Sequence, residues 1–221
     1  MEKVRAIVTG ATGMVGEGVL HECLKSEAVE KVLVVGRKSC GVSHPKLTEI
    51  ILPDFFDLTN IEDRLKGWNA CFFCLGISSV GVSEEEYKRL TYDLTMHFAA
   101  TLVRENPEMT FCYVSGKSTD STEKGRLNWA RVKGKTENDL MKLPFKRVFA
   151  FRIGFLKPEK DFKNTGRLYN YLGWLYPLIR MVSNDYASTL GEVGQAMIKS
   201  AGTGYEKQVL EVEDIIKLAG R

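Results

Sequence analysis

Trp129 and Lys133 stand four residues apart in the stretch RLNWARVKGKTE, which puts both on one face if the stretch is helical. A tyrosine at 129 would place a phenol beside an ammonium, the arrangement of a proton donor whose acidity a cation tunes. An indole can donate a hydrogen bond but has no proton to transfer near neutral pH. The pair therefore offers an ammonium and an aromatic wall, without an acid.

A second group of residues has a clearer chemistry. TGATGMVG sets Gly10, Gly13 and Gly16 at a G-x-x-G-x-x-G spacing. Between a strand and a helix, such glycines allow a tight turn, close backbone approach to a pyrophosphate, and tight packing of helix on strand. The helix start adds unpaired amides and a partial positive charge, so Gly10, Thr12, Gly13, Met14, Val15 and Gly16 form the expected phosphate segment. The next apolar run ends in Gly36-Arg37-Lys38-Ser39. An acid there would bind ribose hydroxyls and suit NAD(H). A guanidinium can instead take a 2′-phosphate bidentately and lie on an adenine face. Arg37 and Lys38 thus favour NADP(H) over NAD(H), with a solvated loop charge as the competing reading. Asp54, followed by Phe55, can accept from an adenine amino group or serve as a cap, and Asp57 can cap with Thr59 or Asn60. Leu75 and Gly76 offer close approach after the fourth apolar run.

These residues need a frame that brings them together. VRAIVTG, KVLVVGR, LTEIILPD, ACFFCLG, TFCYVSG and RVFAFRIGFLKP read as six strands. MVGEGVLHECLKS, the stretch 84–105 and NWARVKGKTENDLMKL read as helices between them. In 84–105 the row Tyr87, Leu90, Leu94, Phe98 and Leu102 has the spacing of one buried helical face, and Ser83 precedes it as N-cap. Continuous apolar strands alternating with helices predict an α/β fold, a doubly wound parallel sheet covered on both faces. Its ligand is expected at the carboxyl ends of the strands. No repeat or linker divides the 221 residues, so a single domain is expected. A small C-terminal helical region is expected on the substrate side, with 155–185 as a lid or cap.

VTGATGMVG, VGRKS, PDFFDL, FCLGISS, YVSGKS, WARVKGKTE, FRIGFLKP and STLGEVGQAMIKSA, in this order, resemble the atypical short-chain dehydrogenase/reductases. The nearest likeness is to the branch holding the Tat-interacting-protein and NAD(P)-binding epimerase-like proteins. The resemblance spans most of the chain. It implies a Rossmann-like fold, a nicotinamide cofactor, and a serine, a tyrosine and a lysine around the reacting carbonyl. Ser115 matches the serine and Lys133 the lysine, which also holds the nicotinamide ribose; Trp129 replaces the tyrosine. Tyr87, Tyr92, Tyr113 and Lys117 are substitute donors to consider. Only 63 residues follow FRIGFLKP, too few for a full sugar-nucleotide domain. The expected function is an NADP(H)-dependent oxidoreductase- or epimerase-like enzyme acting on a small, partly apolar substrate. The alternative is a non-catalytic dinucleotide-sensing regulator or partner-binding protein.

Other features narrow the field. A net charge of +3 is too mild to imply nucleic acid. The first residues lack a secretory signal pattern, giving the expectation of a cytoplasmic protein. Cys71 and Cys74 form a C-x-x-C, but an offset of three in a strand sends the two side chains to opposite faces, so buried structural thiols are expected. His21, His44 and His97 are too scattered to suggest a metal site. The aromatic stretch 166–182 is a packed helix, a lid or a homodimer surface, and it is too short and polar to span a membrane. Interfacial membrane contact is a remoter reading.

Overall fold

Strand β1 (Val4–Thr9) is an interior strand of a seven-stranded parallel sheet, and every strand of that sheet runs the same way. The computed structural model describes residues 2–157 and 187–220. To one side of β1 lie β2 (Val29–Gly36) and β3 (Leu47–Ile51). To the other lie β4 (Ala70–Phe73), β5 (Thr110–Gly116) and β6 (Arg147–Ile153). The runs are continuously apolar because both faces of the sheet are covered. Alternate residues divide between two cores: Val8, Val34, Phe72, Cys112 and Phe151 face one side, and Ile7, Val35, Phe73, Phe111 and Tyr113 the other.

Helix α1 (Met14–Lys25) covers the first face. The opposite face is covered by a short 3₁₀ turn (Glu62–Leu65) and one long helical stretch, α2 (Glu84–Lys88), a π turn (Arg89–Asp93) and α3 (Leu94–Glu105). The Ser83 side chain caps this stretch by accepting from the Glu86 amide at 3.2 Å. Of its apolar row, Tyr87, Phe98 and Leu102 are buried in the core, whereas Leu90 and Leu94 line a cavity at the sheet's carboxyl end. Helix α4 (Asn128–Leu140) follows β5.

The apolar run at 147–157 is not one strand. It breaks at Gly154, and β7 (Phe155–Lys157) leaves the main sheet to pair in parallel with β8 (Ala187–Thr189). Thr189 and Glu192 then form a capping box that starts α5 (Leu190–Thr203). Helix α5 packs on α1 where glycines permit it. A Cβ on Gly18 would come 2.7 Å from Leu190 Cβ, and one on Gly194 equally close to Glu22 Cβ. Helix α5 therefore belongs to the sheet's covering layer. The chain ends with β9 (Val209–Leu210), the edge strand beside β6, and α6 (Val212–Ala219). Residues 158–185 of the expected lid, and the aromatic stretch 166–182, lie outside the described residues. No helix among the described residues is long and apolar enough to cross a membrane.

Candidate functional site

At the end of β1 the chain turns through Gly10, whose φ of 69° lies in the left-handed region. The turn lies against the tip of β4, where the Cys74 amide donates to Thr9 Oγ1 at 3.1 Å. A Cβ on Gly10 would fall 2.6 Å from the Cys74 carbonyl oxygen, and one on Gly16 would overlap the Gly10 carbonyl group. Both positions therefore have to be glycine for the backbone to close this tightly. Gly13 caps α1, its amide donating to Gly10 O at 2.9 Å. The first-turn amides of Met14, Val15 and Gly16 have no partner within their own helix; the Met14 and Val15 side chains pack back on the core. Gly16→Ala is expected to force the turn apart, costing about 1–3 kcal/mol of stability and lowering dinucleotide affinity at least tenfold. Denaturant unfolding and titration calorimetry would check both, and an unchanged affinity would sink the steric argument.

Gly10 and Thr12 open onto a cavity of about 350 Å³ that is also lined by Gly36, Arg37, Lys38 and Leu75. Arg37 and Lys38 are exposed at its rim. The half-buried carboxylate of Glu49 on β3 is committed to the loop after β2. It accepts from Ser39 Oγ at 2.8 Å and from the Cys40 amide at 2.7 Å, which fixes the loop after β2. A second cavity of about 160 Å³ shares Arg37 and Leu75 with the first and adds Asp54, Phe55, Phe56, Gly76, Arg89 and Leu94 among its walls. Asp54 accepts from the Phe56 amide at 2.9 Å through one oxygen. Asp57 binds Thr59 through both its amide and its hydroxyl. Phe55 is buried against Phe98. The structure thus gathers residues after β1, β2, β3 and β4 around two cavities that share Arg37 and Leu75.

The expected reaction centre is arranged differently. Tyr113 and Ser115, two apart on β5, both face the α4 side of the sheet. The Ser115 hydroxyl is buried and donates to Glu137 Oε1 at 2.5 Å, so it is not open to the crevice. Gly116, the next residue, is the one beside the indole: a Cβ there would lie 3.8 Å from Trp129 Cζ3. Lys133 donates to the Val114 carbonyl at 3.4 Å, and its ammonium lies 5.7 Å from the Tyr113 ring centroid. Burial of the ammonium depresses its pKa from 10.5 to about 8, while the charge of Glu137 works in the opposite direction. The substitute phenols are committed elsewhere: Tyr87 and Tyr113 are buried, and Tyr92 donates to Asp139 at 2.8 Å. Burial raises the pKa of Tyr113 far above the ordinary phenol value, so it is a poor proton donor.

Sequence reasoning passed over Glu137 and Arg152. Arg152 on β6 stands opposite Ser115. It donates to Glu137 Oε2 at 2.6 Å, to Glu211 Oε1 at 3.1 Å and to Ser121 Oγ at 2.5 Å. The signal was available: the arginine at the end of the apolar run VFAFR and a glutamate one turn after Lys133 are charges that buried elements cannot carry unpaired. Cys71 and Cys74 do pack toward opposite cores, and burial raises both thiol pKa values above the ordinary 9.0.

Residues 6–119 match the model of the NAD dependent epimerase/dehydratase family, just over half of the chain. This chain belongs to that family. Within it, the chain is 30% identical over 159 residues to the protein FMP52-2, mitochondrial, of Scheffersomyces stipitis, covering 71% of this chain and 68% of the relative. It is 24% identical to rat HTATIP2 over 99% of this chain and 90% of that one. Among solved structures, the Bordetella bronchiseptica enzyme WbmF in complex with NAD+ superposes with a TM-score of 0.69 at 14% identity, over 98% of this chain and 76% of that one. That likeness shows a shared Rossmann-like fold. The expectation of a cytoplasmic location is overturned, because FMP52 relatives from several yeasts are named mitochondrial. The missing secretory pattern spoke only against secretion, and organellar addresses are separate signals that the fold does not encode.

Proposed function

We propose that this epimerase/dehydratase-family chain binds NADP(H) in preference to NAD(H) and acts as an oxidoreductase on a small, partly apolar substrate. The observation that carries the reading is the crevice itself. Gly10 and Gly16 let the backbone close too tightly for a side chain at either position, and the adjoining cavity is lined by Arg37 and Lys38 and by no carboxylate among the described residues. Gly10, Thr12, Gly13, Met14, Val15 and Gly16 would hold the pyrophosphate, with Arg37 and Lys38 on the 2′-phosphate. Asp54, Phe55, Leu75 and Gly76 would hold the adenine. When bound, the nicotinamide exchanges hydride with substrate. Lys133 would anchor its ribose, and its ammonium would hold charge near the developing alkoxide. Trp129 would wall the pocket beside Gly116 and exclude water.

A second reading rests on the same geometry. Trp129 replaces the acid and Ser115 is tied to Glu137, which favours a protein that senses the dinucleotide without turnover. Thermal unfolding with NADPH and NADH tests the shared premise, since a ligand that binds only the folded state raises Tm; no shift with either would end both readings. Arg37→Asp is expected to weaken NADPH about tenfold or more and NADH much less, and equal losses would remove the phosphate role. Turnover on a carbonyl panel that collapses in Lys133→Ala would support the enzyme. Tight binding with no turnover would support the sensor.

A further inference from the structure

Arg89 has no place in the expected cofactor set, yet it lines the cavity that holds Asp54, Phe55 and Gly76, with Arg37 among the other lining residues. Arg89 opens the π turn of the long helix, on a different element from every residue assigned to the dinucleotide. Its guanidinium carbon lies 4.8 Å from the Phe56 ring centroid, and its Nη1 pairs with Glu86 Oε2 at 3.5 Å. These two contacts narrow the rotamers of a side chain that is 55% exposed. Phe56 is itself set by the Asp54 turn, which accepts its amide. Leu90 and Leu94, from the same helix, complete an apolar lining. A flat cation, apolar walls and a carboxylate rim suit a planar heteroaromatic base with an exocyclic amine.

We infer that Arg89 is the helix-side wall of the adenine slot, stacking its guanidinium on the base through a plane held by Phe56. This rests on the dinucleotide reading above. The role is recognition of the base, which separates it from the phosphate role of Arg37: the two arginines act on different parts of one ligand. Stacking on a base is indifferent to a 2′-phosphate, so both dinucleotides should depend on Arg89 alike.

Titration calorimetry on the full chain tests this with NADPH, NADH and reduced nicotinamide mononucleotide, which has no adenosine. Arg89→Ala is expected to weaken NADPH and NADH by the same factor, on the order of fivefold, and to leave the mononucleotide unchanged. Arg89→Lys should lose nearly as much, because it keeps the charge and loses the plane. Phe56→Leu, a milder change beside the slot, should give a smaller parallel loss. A loss confined to NADPH would make Arg89 a phosphate ligand and overturn the inference. An unchanged affinity in Arg89→Ala, or full retention in Arg89→Lys, would overturn it too. If the unsubstituted protein binds neither dinucleotide, the dinucleotide reading fails. Binding that ignores Arg89 defeats the stacking role alone.

Discussion

Replacing Glu137 with alanine is expected to lower the unfolding free energy by about 3–5 kcal/mol and Tm by roughly 10 °C. Glu137 is buried and receives Arg152 through Nε at 3.2 Å and Nη2 at 2.6 Å, with the Ser115 hydroxyl on the same carboxylate. Removing it strands a guanidinium that is only 12% exposed, with the half-exposed Glu211 as its remaining acid. The cost comes from this uncompensated charge and from the orphaned Ser115 hydroxyl, more than from any intrinsic strength of the pair. A double change, Glu137→Met with Arg152→Met, should therefore recover part of the loss, since it removes the buried unpaired charge and leaves the Ser115 hydroxyl only its 3.4 Å contact with the Phe151 carbonyl. Chemical denaturation of the two variants decides the matter. A single-variant loss below 1 kcal/mol would mean that water reaches the network, and a double variant as unstable as the single would mean that packing dominates. Because the network joins α4 to β5, β6 and the start of α6, its loss should also loosen the helix that carries Trp129 and Lys133.

That network shows where reading the chain in one dimension stops. The strands were legible because a sheet covered on both faces leaves uninterrupted apolar runs, and VRAIVT, VLVVG and TFCYV carry no competing pattern. The glycine turn was legible because Gly16 packs on the Gly10 carbonyl within the same turn, whereas the contact of Gly10 with Cys74 comes from a distant strand. Direction was harder. The alternation of β5 puts Ser115 on the same face as Tyr113, but only the position of Glu137 decides whether that hydroxyl meets a crevice or a carboxylate. The break at Gly154 was hidden because β7 is as apolar as the strand before it and finds its partner at Ala187–Thr189, thirty residues on. Strand β9 has two residues, too few for any periodicity. Arg89 was read as part of a helix, and its place in the cavity depends on Phe56 from a loop far away in sequence.

Replacing Lys133 with methionine is expected to stabilise the protein near neutral pH while removing cofactor affinity. Burial depresses the lysine pKa from 10.5 to about 8, so at pH 7 the folded state carries a charge it would rather release. The corresponding penalty is on the order of 3 kcal/mol. Between pH 8 and 10.5 the unfolded chain binds more protons at this site than the folded one, so this site's contribution makes stability rise with pH across that window. Below pH 8 both states are protonated and the penalty is constant; above 10.5 both are neutral and it is gone. Cysteines and tyrosines also titrate there, so the difference between Lys133→Met and the unsubstituted protein isolates the lysine. That difference should be largest at pH 7 and shrink steadily toward pH 10.5. A constant difference from pH 7 to 10.5 would show that the ammonium is well hydrated and the depression absent. Dinucleotide titrations across the same range supply the functional half. If Lys133 holds the ribose as an ammonium, affinity should fall as pH rises, with a midpoint displaced above 8 because ligand hydrogen bonds favour the charged form. The methionine variant should bind weakly at every pH. The amine that costs stability in the free protein would then be the one the ligand requires charged, which is the trade expected of a residue kept for binding rather than for packing.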